Sequence, residues 1–344
     1  MNRELRRRPL TPKKVIMVSL ILCLALAAAI LISLLCGTAK VSAGQMFGLF
    51  TGKEGTDESV RLIILKIRFP RIILAGIAGF ALSLGGLVFQ ALLRNPLADP
   101  FILGVSGGGA FGAILGIMMG LSFNIGIPFL SFAGALLTIY LVMVMGKRKM
   151  GMESSTILLT GVIINAFFTA VIMFFISIAV DDRLHSMLFW LYGDLSQSSY
   201  AESAIVAPLV LLVFIILYGY SKHLNLITGG EDMAFHLGVD VDRAKKICFL
   251  AVSLIIGVVV SFSGLIGFVG LIVPHLARMA LGSDHRLLMP VAALGGAIFL
   301  IIADTIARTV ISPSELPVGV ITAFIGAPFF IYLLKTRGSK WDRS

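Results

Sequence analysis

Apolar residues along this chain run in blocks close to bilayer length, and the charges collect in short islands between them. A hydrocarbon core of about 30 Å takes about 20 helical residues to cross. The stretches 101–121, 125–146 and 154–180 reach that length without one Asp, Glu, Lys or Arg. The pattern predicts an all-α polytopic membrane protein of about ten transmembrane helices. Their expected positions are 15–36, 69–92, 101–121, 125–146, 154–180, 201–221, 247–263, a short 264–274, 289–311 and 317–335. Gly264, Gly267, Gly270 and Pro274 interrupt the run 261–274, so a helix break is expected there. Such breaks are tolerated in a bilayer where they are buried or line a cavity. A single transmembrane domain is expected to fill 1–344, with the longest cytoplasmic loop, 222–246, inside it.

Ten spans would put both termini on one side. With that side cytoplasmic, most of the 28 Lys and Arg residues face the cytoplasm, as the positive-inside bias requires. The net charge of +10 then needs no nucleic-acid partner. An apolar content of 58% and a mean hydropathy of +1.00 exclude an ordinary globular protein. Among the charges left outside, Arg61, Lys66, Arg68 and Arg71 gather at the outer mouth of the second span. Arg6, Arg7, Arg8, Lys13 and Lys14 precede an apolar run longer than a signal-peptide core, with no clear small-x-small cleavage site, so an uncleaved first span is expected. Cys23, Cys36 and Cys248 lie in or beside apolar runs, without the spacing of a metal site or disulfide framework. Spans two to five and seven to ten each open on a Pro-interrupted junction, which suggests an inverted repeat.

Function must be sought in pathways and docking surfaces. The GxxxxGK[ST] phosphate loop is absent, so any ATP-driven step requires another polypeptide. Gly104 to Gly109 open an apolar span and suit close helix packing. Residues 230–239 read as a short helix: Glu231 and Asp232 suit its positive N-terminus, and Gly238 stands where it would stop. Met233, Ala234 and Leu237 are expected on one face. A helix lying on lipid headgroups would carry Lys and Arg; an apolar face behind an acidic start suits a protein groove. In the fifth span, Thr160, Asn165 and Thr169 fit either a weakly interacting pathway wall or hydrogen bonding between packed helices. Asp304 lies within a span and needs a partner, and Arg308 one turn later offers an i,i+4 pair. Residues 184–191 could form a short outer helix, while Trp190 and Tyr192 equally fit an aromatic interface belt.

Several stretches carry a family resemblance. They are Arg68-Phe69-Pro70-Arg71, Leu93-Arg94-Asn95-Pro96-Leu97-Ala98-Asp99-Pro100-Phe101-Ile102-Leu103-Gly104-Val105-Ser106, Glu231…Leu237-Gly238-Val239, Gly267-Phe268-Val269-Gly270-Leu271-Ile272-Val273-Pro274-His275, Asp284-His285-Arg286 and Glu315-Leu316-Pro317-Val318-Gly319. On them the chain resembles the FecCD family, permease subunits of binding-protein-dependent ABC importers for iron–siderophores, haem and cobalamin. The resemblance implies a permease rather than an enzyme, in a prokaryotic cytoplasmic membrane. No cofactor is then expected on this chain, and ATP–Mg belongs to a partner. The implied partners are a second permease copy, two cytoplasmic ABC ATPase subunits and an extracytoplasmic substrate-binding protein.

Residue roles follow from the same resemblance. Arg68, Arg71 and Arg308 would dock acidic residues of the binding protein, although Arg68 and Arg71 could instead anchor a helix end at the headgroups. Glu231, Ala234, Leu237 and Gly238 would sit in a groove of the ATPase. Ser154 and Ser155 would form a cytoplasmic gate where two copies meet, with Thr160, Asn165 and Thr169 along the pathway. The implied cargo is a bulky metal chelate, with a ferric siderophore favoured over haem or cobalamin. Iron arriving already chelated needs no protein ligands, so His275 and His285 are assigned to a polar cytoplasmic junction. The contrasting class is a stand-alone ion-coupled transporter, for which Asp304 would be the midplane group.

Overall fold

The computed structural model describes residues 10–39, 41–42, 44–46, 58–101, 103–148, 151–152 and 154–341. Arg6, Arg7, Arg8, Ile102, Lys149 and Glu153 lie outside the described residues, as does the side chain of Ser154. The helices are α1 (Pro12–Leu35), α2 (Glu58–Leu92), α3 (Val105–Met118), α4 (Gly126–Met145), α5 (Ser154–Ile178), α6 (Asp181–Leu191), α7 (Tyr200–Gly219), α8 (Ser221–Gly229), α9 (Glu231–His236), α10 (Val241–Ser263), α11 (Val269–Leu281), α12 (His285–Thr309) and α13 (Val318–Trp341). A two-residue antiparallel ladder pairs Lys147–Arg148 with Gly151–Met152 between α4 and α5. Among the described residues, seven helices are long and apolar enough to cross a membrane, and α3, α11 and the stretch Val318–Leu333 are shorter apolar helices. Each of the ten expected spans falls on one of these, which is the pattern of a multi-pass membrane protein.

Two elements depart furthest from expectation. Helix α2 begins at Glu58, well before residue 69, and winds as a π-helix over Ile63–Arg68 just ahead of Pro70. Proline lacks an N–H for the preceding turn, and wider winding is one way to absorb that loss. The eighth expected span shifts from 264–274 to Val269–Leu281. Gly264 at φ +67 ends α10, and Phe268 at φ +68 precedes α11. Pro274 lies inside α11 without ending it. It cannot donate to the carbonyl of Gly270, and the Gln90 side-chain amide of α2 supplies a donor to that carbonyl at 3.0 Å.

Helix α2 is the centre of the bundle. Its apolar window is 78% buried, against 6% for α1, which lies at the periphery. α2 packs against α12, α10, α11 and α7, and α3 pairs with α4. Small residues permit the closest approaches. Gly79 of α2 meets the backbone of Gly296 in α12, Gly86 meets Gly270 in α11, and Gly108 of α3 meets Gly134 in α4. The Gly-rich run at 104–109 is therefore used for packing.

Candidate functional site

The short helix of the 222–246 loop forms over Glu231–His236. Gly238, at φ +83, ends the turn, and its N–H donates to the carbonyl of Phe235 at 2.9 Å. One part of the expected surface is corrected. Ala234 is fully buried with Ile227, Val239 and Ala244, so it seats the helix instead of facing outward with Met233 and Leu237. The outward apolar surface consists of Met233 (58% exposed), Phe235 (69%) and Leu237 (58%). Phe235 was not singled out from the sequence. The one-sided burial of Ala234 inside a two-turn segment puts its immediate neighbours outward.

Glu231 also looks inward. Its carboxylate lies 2.6 Å from the ammonium of Lys245, a buried side chain at the start of α10. Burying a lysine without a counter-charge is costly, so this pair fixes α9 to α10. Asn225 of α8 donates to Asp284 Oδ1 at 2.9 Å, and its carbonyl accepts from the backbone N–H of His285 at 2.8 Å and contacts His285 Nδ1 at 2.7 Å. A carbonyl only accepts, so the imidazole carries its proton on Nδ1. Asp284 caps α12 and pairs with Arg286 at 2.6 Å, which holds its carboxyl down at about 2. His285 thus belongs to a polar junction, as expected. His275 is buried and packs beside Phe330.

At the opposite end of α12, all three arginines expected to face a docking partner are buried. Arg68 donates through Nη1 to the carbonyls of Leu34 at 2.6 Å and Leu35 at 3.3 Å, and through Nη2 to that of Ala39. It thereby satisfies the orphan carbonyls at the end of α1, where a positive charge also suits the helix dipole. Arg71 donates from Nε to Asp304 Oδ1 at 2.9 Å and from Nη1 to Glu315 Oε2 at 2.5 Å. Arg308 pairs with the other Asp304 oxygen at 3.1 Å and donates to Ser33 Oγ at 2.8 Å. These guanidinium forks, expected to meet an external protein, have their hydrogen-bond partners within the chain. The i,i+4 pair was legible in the sequence, whereas the distant partners Ser33 and Glu315 carried no local signal. Arg61 and Lys66 remain exposed at this end.

On α5, Ser155 and Thr169 are exposed, Asn165 is half-buried and Thr160 is buried. Of the two readings of Thr160, its burial fits packing between helices. Thr169 donates to the carbonyl of Asn165 at 2.8 Å, so its hydroxyl is satisfied on its own helix. Asn165 lies against Gly107 of α3, where a Cβ would collide with its amide. The outward face of α5 is strongly apolar at Leu159, Phe167, Met173 and Phe174. The short helix expected over 184–191 forms as α6, with Trp190 buried and Tyr192 exposed.

A family model described as the FecCD transport family matches residues 24–336, which include both polar junctions and the short outward helix. The chain belongs to the FecCD transport family. Similar proteins include an uncharacterised ABC transporter permease protein of Bacillus subtilis (strain 168), 41% identical over 320 residues and covering 90% of each chain. A cobalamin import system permease protein of Halobacterium salinarum is 41% identical over 283 residues, covering 82% of this chain and 76% of its own. A hemin transport system permease protein of Yersinia pestis is 37% identical over 313 residues, covering 89% and 92%. Among solved structures, a metal-chelate type ABC transporter in an inward-facing conformation superposes with a TM-score of 0.81 at 33% identity, covering 93% of this chain and 99% of that one.

Proposed function

We infer that this chain is the membrane-spanning permease subunit of an ATP-driven importer of bulky metal chelates, with a ferric siderophore as the favoured cargo and haem or cobalamin as alternatives. The observation that carries the reading is the outward triad Met233, Phe235 and Leu237, on a short helix tethered by Glu231 and adjoining Asn225. An apolar surface of this kind on a chain without a nucleotide loop calls for a protein partner that supplies the ATP chemistry. ATP–Mg would be held by two cytoplasmic ATPase subunits. Two permease copies would enclose the pathway in a prokaryotic cytoplasmic membrane, with both termini and the 222–246 loop in the cytoplasm. A substrate-binding protein would dock at the far end. With Arg68, Arg71 and Arg308 buried, exposed Arg61 and Lys66 are the basic side chains that would meet its acidic residues there. The stand-alone ion-coupled reading is weaker, because Asp304 sits between two guanidinium groups instead of in a site for a cation.

The test is reconstitution with the ATPase and binding protein in liposomes, with uptake of a ferric siderophore, haem and cobalamin measured separately. ATP-dependent, binding-protein-dependent uptake of the siderophore is expected. Uptake of haem or cobalamin alone would change the cargo. Uptake by the purified chain with no nucleotide would overturn the importer reading.

A further inference from the structure

Two polar ties connect the α8–α9 unit to the long helices, and they differ in kind. The tie to α10 is the charge pair between the Glu231 and Lys245 side chains. The tie to α12 is held by one short amide. Asn225 grips the Asp284 side chain through Nδ2, and the His285 backbone N–H and imidazole through Oδ1. The His285 N–H is one of the unpaired donors at a helix start, so the contact is to the α12 rod itself as well as to its side chains. Asp284 is pinned in turn by the Arg286 guanidinium and by the backbone N–H of Arg286. Helix α12 then runs on through the bundle. At about 1.5 Å per residue, Asp304 lies roughly 30 Å from His285, and there it binds Arg71 of α2.

We propose that Asn225 is a positioning residue that makes α12 follow the α8–α9 unit, so that displacement at the outward helix reaches the Asp304–Arg71 junction at the far end. A long helix whose first turn is clamped cannot stay in place while the clamping helix moves, unless the amide contacts break. This inference rests on the importer reading, because it needs a partner that pushes on α9.

The experiment uses the full complex with the ATPase and binding protein in lipid. Spin labels are placed near the loop end at Arg94→Cys and Lys222→Cys, and at the far end at Ser196→Cys and Val310→Cys, all exposed positions, with exposed Cys23 and Cys36 replaced by Ser. Distances are compared without nucleotide and after trapping with MgATP and vanadate. Both pairs are expected to shift in the otherwise native chain. Asn225→Asp sets two carboxylates against each other, and is expected to keep the loop-end shift and lose the far-end shift. Adding Asp284→Asn restores a donor to the new carboxylate and is expected to restore the far-end shift. Asn225→Ala gives a second, uncharged route to the same loss. A far-end shift that survives in either Asn225 variant with the loop-end shift intact would overturn the clamp and leave the importer reading standing. A native complex with no loop-end shift would instead count against the importer reading itself. A clamp needed only for stability would affect both distances together.

Discussion

Asp304 of α12 accepts a hydrogen bond from Arg71 Nε of α2 at 2.9 Å, while its other oxygen lies 3.1 Å from Arg308 Nε. The carboxylate is fully buried between two guanidinium groups, and Glu315 shares Arg71 at 2.5 Å. This arrangement balances charge where water cannot, and it joins α2, α12 and the loop before α13, while Ser33 adds α1. Breaking a buried pair by removing one partner costs about 3–5 kcal/mol, because the remaining charge is left uncompensated. Asp304→Ala is therefore expected to lower thermal stability in detergent by several degrees. A loss no larger than that of an exposed control, Asp182→Ala, would show that the network does not hold these helices.

The same geometry separates two roles for the far-end arginines. Charge reversal at exposed Arg61 and Lys66 is expected to weaken stimulation of ATP hydrolysis by the binding protein and to leave the melting temperature unchanged. Arg71→Glu is expected to lower the melting temperature first, since it would set three carboxylates together. Titrating the binding protein against each variant at low and high salt checks this, because exposed contacts weaken with ionic strength. Unaltered stimulation by the Arg61→Glu Lys66→Glu chain would remove them as a docking surface.

Much of the bundle was readable from residue type alone. Blocks without charges located the helices, since a bilayer penalises interruption in a way that water does not. The acidic start and glycine stop of α9 are local signals, and they placed that helix correctly. What failed needed three-dimensional information. Arg68, Arg71 and Arg308 look like surface arginines at helix ends until Leu34, Glu315 and Ser33 fold over them. Ala234 shared a predicted face with Met233 and Leu237, but the packing of α8 and α10 chose which side turned inward. Pro274 suggested a helix end, and a side chain from another helix, Gln90, allowed the helix to continue.

Phe235 and Ala234 are adjacent, yet substitutions there should have opposite signatures. Phe235 is largely exposed, so Phe235→Ser should not affect folding of the isolated chain. If it is buried against the ATPase, losing it removes about 1.5–3 kcal/mol of apolar burial, roughly ten- to a hundredfold in affinity. The expected result is loss of the ATPase during co-purification, with a normal melting curve for the permease. Ala234→Phe would overfill a closed cluster and cost about 1–3 kcal/mol in the chain alone. Retention of the ATPase at native strength by Phe235→Ser would discount the outward triad as its seat.

Asp99 contributes a dependence on pH that one substitution can separate from the rest. It lies buried in the turn between α2 and α3, and its Oδ1 accepts the backbone N–H of Phe101 at 2.8 Å. Burial raises its pKa from 3.8 to about 6, and the Phe101 hydrogen bond opposes that only in part. In the folded chain the group therefore holds its proton more tightly than in the unfolded one. The resulting stability is complete below about 4, falls as pH rises toward 6, and is absent above that. The span corresponds to about 3 kcal/mol at 1.36 kcal/mol per pKa unit. Asp284 acts with the opposite sign, since its folded value of about 2 makes its contribution present above about 4 and lost only as pH falls below that. The two windows barely overlap, and the Asp99 share is the difference between the native and Asp99→Asn melting curves from pH 4 to 7.5. Asp99→Asn keeps an acceptor for Phe101 and removes the buried charge. It is expected to raise the melting temperature at pH 7 and to flatten the slope between pH 4 and 6. A slope unchanged by the substitution would assign the dependence to another group.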